Sequence, residues 1–590
     1  MASPRPAETI VAHQPRLADH SADKRMLLLA AMALVVGTGG VVSAWVLVHL
    51  IALVTNIAWF GRFSWETAVM SEGAGGWKTV AIPVIGSLIV GLMARYGSDK
   101  IRGHGIPEAI ETILYGESKL SPKVALLKPI SSAISIGSGG PFGAEGPIIM
   151  TGGAIGSLFA QRFRLSAAER KTLLVAGAAA GMTGIFGTPI AAILLAVEVM
   201  LFEWKPRSFV PVVLASLTSL AWRPLLIGSG ALFPFAATIP AGAEVLGLAA
   251  ALGLVAGLFA ASLSVALYRI EDGFHRLPVH WMWWPALGAI VVGIGGLIEP
   301  RVLGAGYANI QDLLDGHLLW QAALLLLVVK AVVWLTALGS GTSGGVLAPL
   351  LILGGALGAI AGQWLPGSPG MWALLGMAAV MSAAMRAPLT AAIFAIELTG
   401  RFELLPATAA AAVAAYALAV LVLKRSILTE KISRRGRHIS QEYSVDPLAL
   451  SQAGEIMTKN PETLAQDMTV ADAIRFFEGA KHRSYPVIDA AGRPIAIASR
   501  ADALRWRQAD IAPEVTLRDQ LSDGSLPAVR PNTPAIEVAN LMIAEEIGRV
   551  CVIAPEDGRL LGLIARRNLL AARATKVREE KPGTLTRWPI

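Results

Sequence analysis

Long apolar blocks dominate most of the chain, and their length and periodicity predict helices rather than strands. The first covers residues 26–60 and follows a polar, mildly basic stretch, 1–25, with Arg5, Arg16, Lys24 and Arg25. A secretory signal would carry an apolar core of only about 7–15 residues and a small-residue cleavage site. This block therefore reads as a first membrane helix behind a cytoplasmic N-terminal segment. Further blocks at 77–97, 122–137, 146–161, 170–202, 208–229, 242–268, 281–298, 317–338, 345–364, 371–400 and 404–424 continue the pattern between Gly, Pro and short charged clusters. A clean span takes roughly 20 apolar residues, and several blocks are shorter or broken by glycine. Broken backbone is tolerated at membrane depth only where it is buried in protein or lines a cavity. The pattern predicts a polytopic all-α membrane protein of the transporter or channel kind.

Beyond residue 424 the pattern changes. Lys424, Arg425, Lys431, Arg434, Arg435 and Arg437 form a basic connection, cytoplasmic by the positive-inside rule. Mixed polarity follows, with strand-like runs at 485–488, 550–553 and 560–564 and amphipathic helical runs at 470–479 and 535–545. A tail of about 140 residues suits one compact α/β domain. It also repeats itself: "IMTKNPETLAQDMTVADAIRFFEGAKHRSYPVID" is answered by "LPAVRPNTPAIEVANLMIAEEIGRVCVIAPEDG".

Composition sharpens this picture. The chain is 54% hydrophobic and 16% charged with a mean hydropathy of +0.58, too little charge to cover a soluble enzyme of 590 residues. The single cysteine, Cys551, excludes a disulfide framework or a zinc-binding Cys pair. A net charge of +8 fits basic loops beside a membrane and gives no footprint for nucleic acid.

The membrane part is internally duplicated. Gly137, Ser138, Gly139, Gly143, Pro147, Gly152, Gly153 and Gly156 reappear 202 residues later as Gly339, Ser340, Gly341, Gly345, Pro349, Gly354, Gly355 and Gly358. Further on, "TPIAAILLAVEV" answers "APLTAAIFAIEL", setting Pro189 against Pro388 and Glu198 against Glu397. Duplicated halves, about 77–230 and 280–425, with broken helices between them predict a transporter-type fold, and a fixed central site favours the inverted-repeat form of it.

Each half carries a glycine-rich loop running through a proline into an apolar helix, "GSGGPFGAEGPII" and "GSGTSGGVLAPLL", and "GHGIPEAIE" has the same grammar. Such loops let helix N-termini present free N–H groups and dipole ends to an anion; their glycines also serve close helix packing. Glu145 is the one charged side chain between Lys128 and Arg162. A carboxylate at membrane depth costs about 2.5–3.5 kcal/mol on insertion scales. Its carboxylate is expected either to sit in the amide-lined seat as a tethered competitor of an anion, or to cap its own helix. Lys330, alone among ionised residues between Asp315 and Arg386, reads either as an anion attractor or as a lysine snorkelling to an interface.

At these residues the chain resembles the CLC family of chloride channels and proton-coupled chloride exchangers. "GHGIPE" is similar to that family's GSGIP element, "GAEGP" to GREGP, "GGVLAP" to GxFxP, and "SILTEKISRRG" to its final SIYTxKLxRRG helix. The likeness runs in order over residues 30–436, and the tail resembles a tandem pair of CBS domains. The resemblance implies a transmembrane domain at 26–437, CBS domains at about 452–510 and 520–573 within 438–575, and a tail at 576–590. It implies a membrane protein of the cell (inner) membrane with both termini cytoplasmic, homodimeric with one pore per subunit, and no enzyme. Chloride or a similar small anion is the implied cargo, and no cofactor is required.

Residue by residue, Glu145 matches the gating glutamate, and the amides of Ala144 and Gly146 line its seat. Gly103, His104, Gly105 and Ile106 match the inner loop, and Val346 and Leu347 match the amides that hold the central anion. Three positions depart: His104 replaces a hydroxyl-bearing serine, Leu428 a central tyrosine, and Val199 the proton-carrying glutamate of exchangers. The losses imply a wider or greasier inner mouth at Leu428, and flux that rises as pH falls through about 6.5 by way of His104 and Glu145. Val199 favours a passive, gated chloride channel; a chloride/proton antiporter would need Glu198, Glu203 or water as carrier. A CBS-bearing cation transporter would want acidic rings, which the broken segments lack. In the CBS pair, Ser499 and Asp502 match a Ser/Thr-x-x-Asp element for an adenine nucleotide, whereas the second copy has Ala565 and Asn568.

Overall fold

The structure, a computed structural model, describes residues 12–13, 25–236, 242–436, 448, 451–509, 511–512, 514–521 and 526–579. Most of the N-terminal segment 1–25, Arg437 with the following connection, and the tail beyond 579 lie outside the described residues. The chain forms two units, residues 20–442 and the C-terminal region with the first 19 residues.

The larger unit is all-helical. Its first half runs α1 (Arg25–Thr55), the short α2 (Met70–Gly73), α3 (Lys78–Tyr96), α4 (Ile106–Tyr115), α5 (Pro122–Gly137), α6 (Glu145–Gln161), α7 (Ala167–Phe186), α8 (Pro189–Leu195) and α9 (Pro206–Leu226). The second runs α10 (Glu244–His275), α11 (Trp284–Ile298), α12 (Tyr307–Leu314), α13 (Trp320–Gly339), α14 (Leu347–Ala361), α15 (Pro369–Met385), α16 (Pro388–Thr399), α17 (Leu405–Val422) and α18 (Ile427–Arg434). Among the described residues, seven helical stretches are long and apolar enough to cross a membrane. Shorter ones, α8, α14, α15 and α16 among them, are held inside the bundle.

Two blocks expected as single spans are broken. The 170–202 block ends α7 at Gly187, left-handed at φ 68°, and restarts at Pro189; the 371–400 block turns at Arg386, φ 59°, and restarts at Pro388. Proline at a first helical turn starts a helix cleanly and cannot continue the preceding one. The repeat also begins a helix earlier than the expected halves, because α1 packs on α7 and α9 as α10 packs on α15 and α17.

The halves meet at Gly143 and Gly345, which are equivalent in the repeat. They form an antiparallel bridge, with the Gly345 N–H donating to the Gly143 carbonyl at 3.0 Å. Equivalent residues that pair antiparallel lie on a local two-fold axis, so the halves are inverted.

The smaller unit holds two sheets of like topology. One has the order β3 (Leu464–Ala465), β4 (Ser484–Ile488), β5 (Pro494–Ser499). The other has β1 (Ala12–His13), β6 (Ala528–Val529), β7 (Arg549–Ile553), β8 (Leu560–Ala565) and β2 (Thr458–Lys459). The strands β3–β4–β5 match β6–β7–β8, the first pair of each three being parallel and the second antiparallel. Helices α19 (Ala453–Ile456), α20 (Val470–Gly479), α21 (Arg500–Gln508), α22 (Leu517–Leu521), α23 (Ala535–Ala544) and α24 (Arg566–Glu579) complete the unit. Apolar faces of strands and helices put Phe477, Tyr485, Val487 and Trp506 into one core and Val538, Met542, Val550 and Ile564 into the other.

Candidate functional site

Four loops that open helices α4, α6, α12 and α14 converge at the two-fold. Gly105 caps α4 at φ 87° and Gly306 caps α12 at φ 71°, a left-handed conformation that a β-carbon would strain. A lysine closes each of these two loops. Lys128 Nζ donates to the carbonyls of Ile101 (2.8 Å) and Gly103 (2.7 Å), and Lys330 Nζ to those of Val302 (2.8 Å) and Gly304 (3.0 Å). Both side chains are wholly buried, so Lys330 does not snorkel: its ammonium satisfies backbone carbonyls.

Glu145 opens α6, with Ala144 as its cap residue, and is 0% exposed. Its carboxylate lies against the backbone N–H groups of Glu145 itself and of Ala348. The Tyr307 hydroxyl donates to Oε1 at 3.4 Å, while Oε2 makes no hydrogen bond among the described residues. Glycines form the walls. A β-carbon on Gly143 would stand 1.9 Å from Glu145 Oε2, and one on Gly345 2.7 Å from the same oxygen. A β-carbon on Gly146 would stand 1.9 Å from the His104 carbonyl oxygen, so backbone meets backbone there. One carboxylate oxygen is thus left without a partner among the described residues, and a buried acceptor of that kind calls for an explanation. Val346 caps α14 and Leu347 opens it, both buried; the amide facing Glu145 is that of the next residue, Ala348.

Cavities lie on either side. One, of about 600 Å³, reaches Gly103 and His104 and is walled by Arg102, Tyr268, Glu271, Lys431, Arg434 and Arg435. The other, of about 380 Å³, reaches Ala144 and Tyr307 past Arg301. Loops 99–104 and 300–305, equivalent in the repeat, thus line opposite cavities, as inverted halves require. In the first cavity the His104 ring is 2% exposed and its Nδ1 has no partner among the described residues. Lys431 Nζ is held beside Gly103 by Glu108 Oε1 at 2.9 Å, and Glu108 Oε2 accepts the Gly105 N–H at 3.0 Å. Ile106 is buried in the first turn of α4.

Leu428, expected to open the mouth of this cavity, is wholly buried and does not wall it. Tyr268 of α10 stands there, its hydroxyl donating to the Ile427 carbonyl at 2.5 Å beneath the Arg434 guanidinium.

Val199 lies buried in a π-helical turn, Ala196–Leu201, that continues α8. Its neighbour Glu198 is not a free carrier: it accepts from the backbone N–H groups of Leu389 (3.3 Å) and Thr390 (2.8 Å) and from the Thr390 hydroxyl (2.6 Å). Glu397 answers by accepting from Ile190 (3.1 Å) and Ala191 (2.8 Å). Glu203 is paired with Lys205 at 3.0 Å and accepts the Ser208 hydroxyl at 2.8 Å.

In the smaller unit, Ser499 and Asp502 are turned on each other. Asp502 Oδ2 accepts the Ser499 N–H (2.8 Å) and hydroxyl (2.5 Å), the Asp502 N–H donates to Ser499 Oγ, and Arg505 pairs with Oδ1. The pair is a capping box for α21. At the equivalent place Asn568 Oδ1 accepts the Ala565 N–H at 3.0 Å, and Ala565 has no hydroxyl to return the bond.

Sequence reasoning missed Tyr307, Lys128, Ala348 and Tyr268. An offset of 201 would have found the first, since Gly304 and Gly306 repeat Gly103 and Gly105.

Known proteins share this fold. The family of voltage gated chloride channels matches residues 86–420, and CBS domains match 453–509 and 520–575. The voltage-gated ClC-type chloride channel ClcB of Salmonella typhimurium is 31% identical over 376 residues, 62% of this chain and 88% of the relative. A putative chloride channel protein, ClcB-like, of Ralstonia nicotianae is 30% identical over 370 residues, 61% of this chain and 86% of the relative. Among solved structures, a slow cyanobacterial Cl-/H+ antiporter superposes with a TM-score of 0.62 at 21% identity, covering 70% of this chain and 99% of its own. A eukaryotic CLC transporter gives 0.59 at 20%, covering 92% and 99%. The chain belongs to the voltage gated chloride channel (CLC) family of membrane anion transporters and carries a C-terminal pair of CBS domains.

Proposed function

We propose that the chain is a passive, gated chloride channel of the cell (inner) membrane, homodimeric with one pore per subunit and with both termini cytoplasmic. Glu145 is the gate. The observation that carries this reading is a buried carboxylate, one oxygen unpaired, walled by Gly143 and Gly345 where two cavities approach. An anion attracted by the same amides competes with that carboxylate for one place, and protonation of Glu145 removes the competing charge.

Passive conduction is supported by the inner side. The position at which exchangers of the family keep a proton-carrying glutamate holds the hydrocarbon of Val199. The adjacent carboxylates are spent, Glu198 as a helix cap and Glu203 in an ion pair. Purified protein in liposomes tests this: a chloride gradient should collapse without moving protons. Uphill proton movement driven by chloride would establish the antiporter instead.

We infer that the CBS pair takes no adenine nucleotide at Ser499 and Asp502, whose polar atoms are bonded to each other and to Arg505. Isothermal titration with ATP, ADP and AMP should give no heat; saturable heat abolished by Asp502→Ala would overturn this.

A further inference from the structure

The second repeat carries a counterpart of the GHGIP loop. Gly304, Ala305, Gly306 and Tyr307 stand where Gly103, His104, Gly105 and Ile106 stand in the first. Both loops use left-handed glycines, both are closed by a buried lysine, and both open a short helix. They differ in the first helical residue, apolar Ile106 against Tyr307. The Tyr307 ring is set edge-on to Phe186, with centroids 6.4 Å apart, and tilted against Phe233 at 6.1 Å. Its hydroxyl bridges the two groups that define the seat, accepting from the Ala144 N–H and donating to Glu145 Oε1, each at 3.4 Å.

We propose that Tyr307 is a ligating and positioning residue of the outer anion seat. Its hydroxyl holds the Glu145 carboxylate while that carboxylate is in place, and turns to the transported anion once it has left. A phenol has one proton to donate, so carboxylate and anion compete for it as they compete for the amides. The two hydroxyls that the family resemblance implies at the inner side are missing, at His104 and Leu428, whereas the outer seat has one, from Tyr307. Charged or titratable groups on the elements packed around the pair include His104 before α4, Lys330 on α13, whose ammonium lies 3.6 Å from the β-position of Gly306, and Arg301 on the outer cavity.

This inference rests on Glu145 being the gate, and the test separates the two. Chloride efflux from liposomes is followed from pH 4.5 to 8 for the parent, Tyr307→Phe and Glu145→Gln. Removing a donor from the ionised carboxylate makes protonation easier, so Tyr307→Phe should move the half-maximal pH upward by about 0.5–1 unit. Tyr307→Leu, which also removes the ring, should move it no further. In the Glu145→Gln background, calorimetric chloride affinity should fall about 3–10-fold on adding Tyr307→Phe. An unchanged midpoint together with unchanged affinity would overturn the role of Tyr307, even if the variant melts earlier. A pH profile that survives Glu145→Gln intact would overturn the gate itself.

Discussion

Glu198 and Glu397 cap each other's repeat. Glu198, in the first half, accepts the opening N–H groups of α16, and Glu397, in the second, accepts those of α8. Each carboxylate satisfies donors that the proline-started helix leaves orphaned, and the exchange ties the halves together across the two-fold. Glu198→Ala should cost about 2–3 kcal/mol, since hydrogen bonds to a charged acceptor contribute about 1.5–3 kcal/mol. Thermal unfolding in detergent reads the loss. Chloride flux per folded protein should be unchanged; its collapse would mark Glu198 as part of the ion path.

Gly143 and Gly146 make the sharpest pair of substitutions. The nearest atoms to a β-carbon at Gly143 all belong to the Glu145 carboxyl, the free end of a side chain, whereas at Gly146 the first is the His104 carbonyl oxygen. Gly143→Ala should therefore fold, evict the carboxylate and conduct at neutral pH like Glu145→Gln. Gly146→Ala should fail to reach a stable bundle. Size-exclusion profiles and efflux at pH 7.5 distinguish them, and normal gating in Gly143→Ala would place the carboxylate elsewhere.

Lys330→Met removes the donor for two buried carbonyls, Val302 and Gly304. Each orphaned acceptor costs about 1–3 kcal/mol, partly offset because no charge is buried any longer. A net loss of about 2 kcal/mol is expected in thermal unfolding. Greater stability would show the desolvated ammonium to be the dominant cost.

Cys551 is wholly buried on β7, and burial pushes its thiol up to about 12. The thiolate is the reactive form, so maleimide should label it at pH 7.5 only after the CBS pair unfolds. Rapid labelling of native protein would contradict that packing.

What the chain revealed in advance follows from where the physics is written. Glycine spacing exposed the duplication, because equivalent glycines such as 152 and 354 are fixed by close backbone approach, to the carbonyls of Gly177 and Gly376. The strands at 485–488 and 550–553 and the helices at 470–479 and 535–544 were legible from alternation and amphipathic period. The breaks at 187–188 and 386–387 were masked by continuous hydropathy, although Pro189 and Pro388 marked both. The environment of Lys330 was invisible because its partners are carbonyls, which every residue carries. Leu428 misled because a tyrosine from another helix, Tyr268, lines the mouth in its stead.

The most direct measurement is a crystallographic search for bromide in Glu145→Gln, with anomalous scattering locating the ion. One bromide should lie where the carboxylate sits, between the 143–146 and 345–348 turns and within reach of the Tyr307 hydroxyl. A seat without bromide, or one filled by a metal cation ringed with oxygens, would contradict a carboxylate and an anion sharing one place.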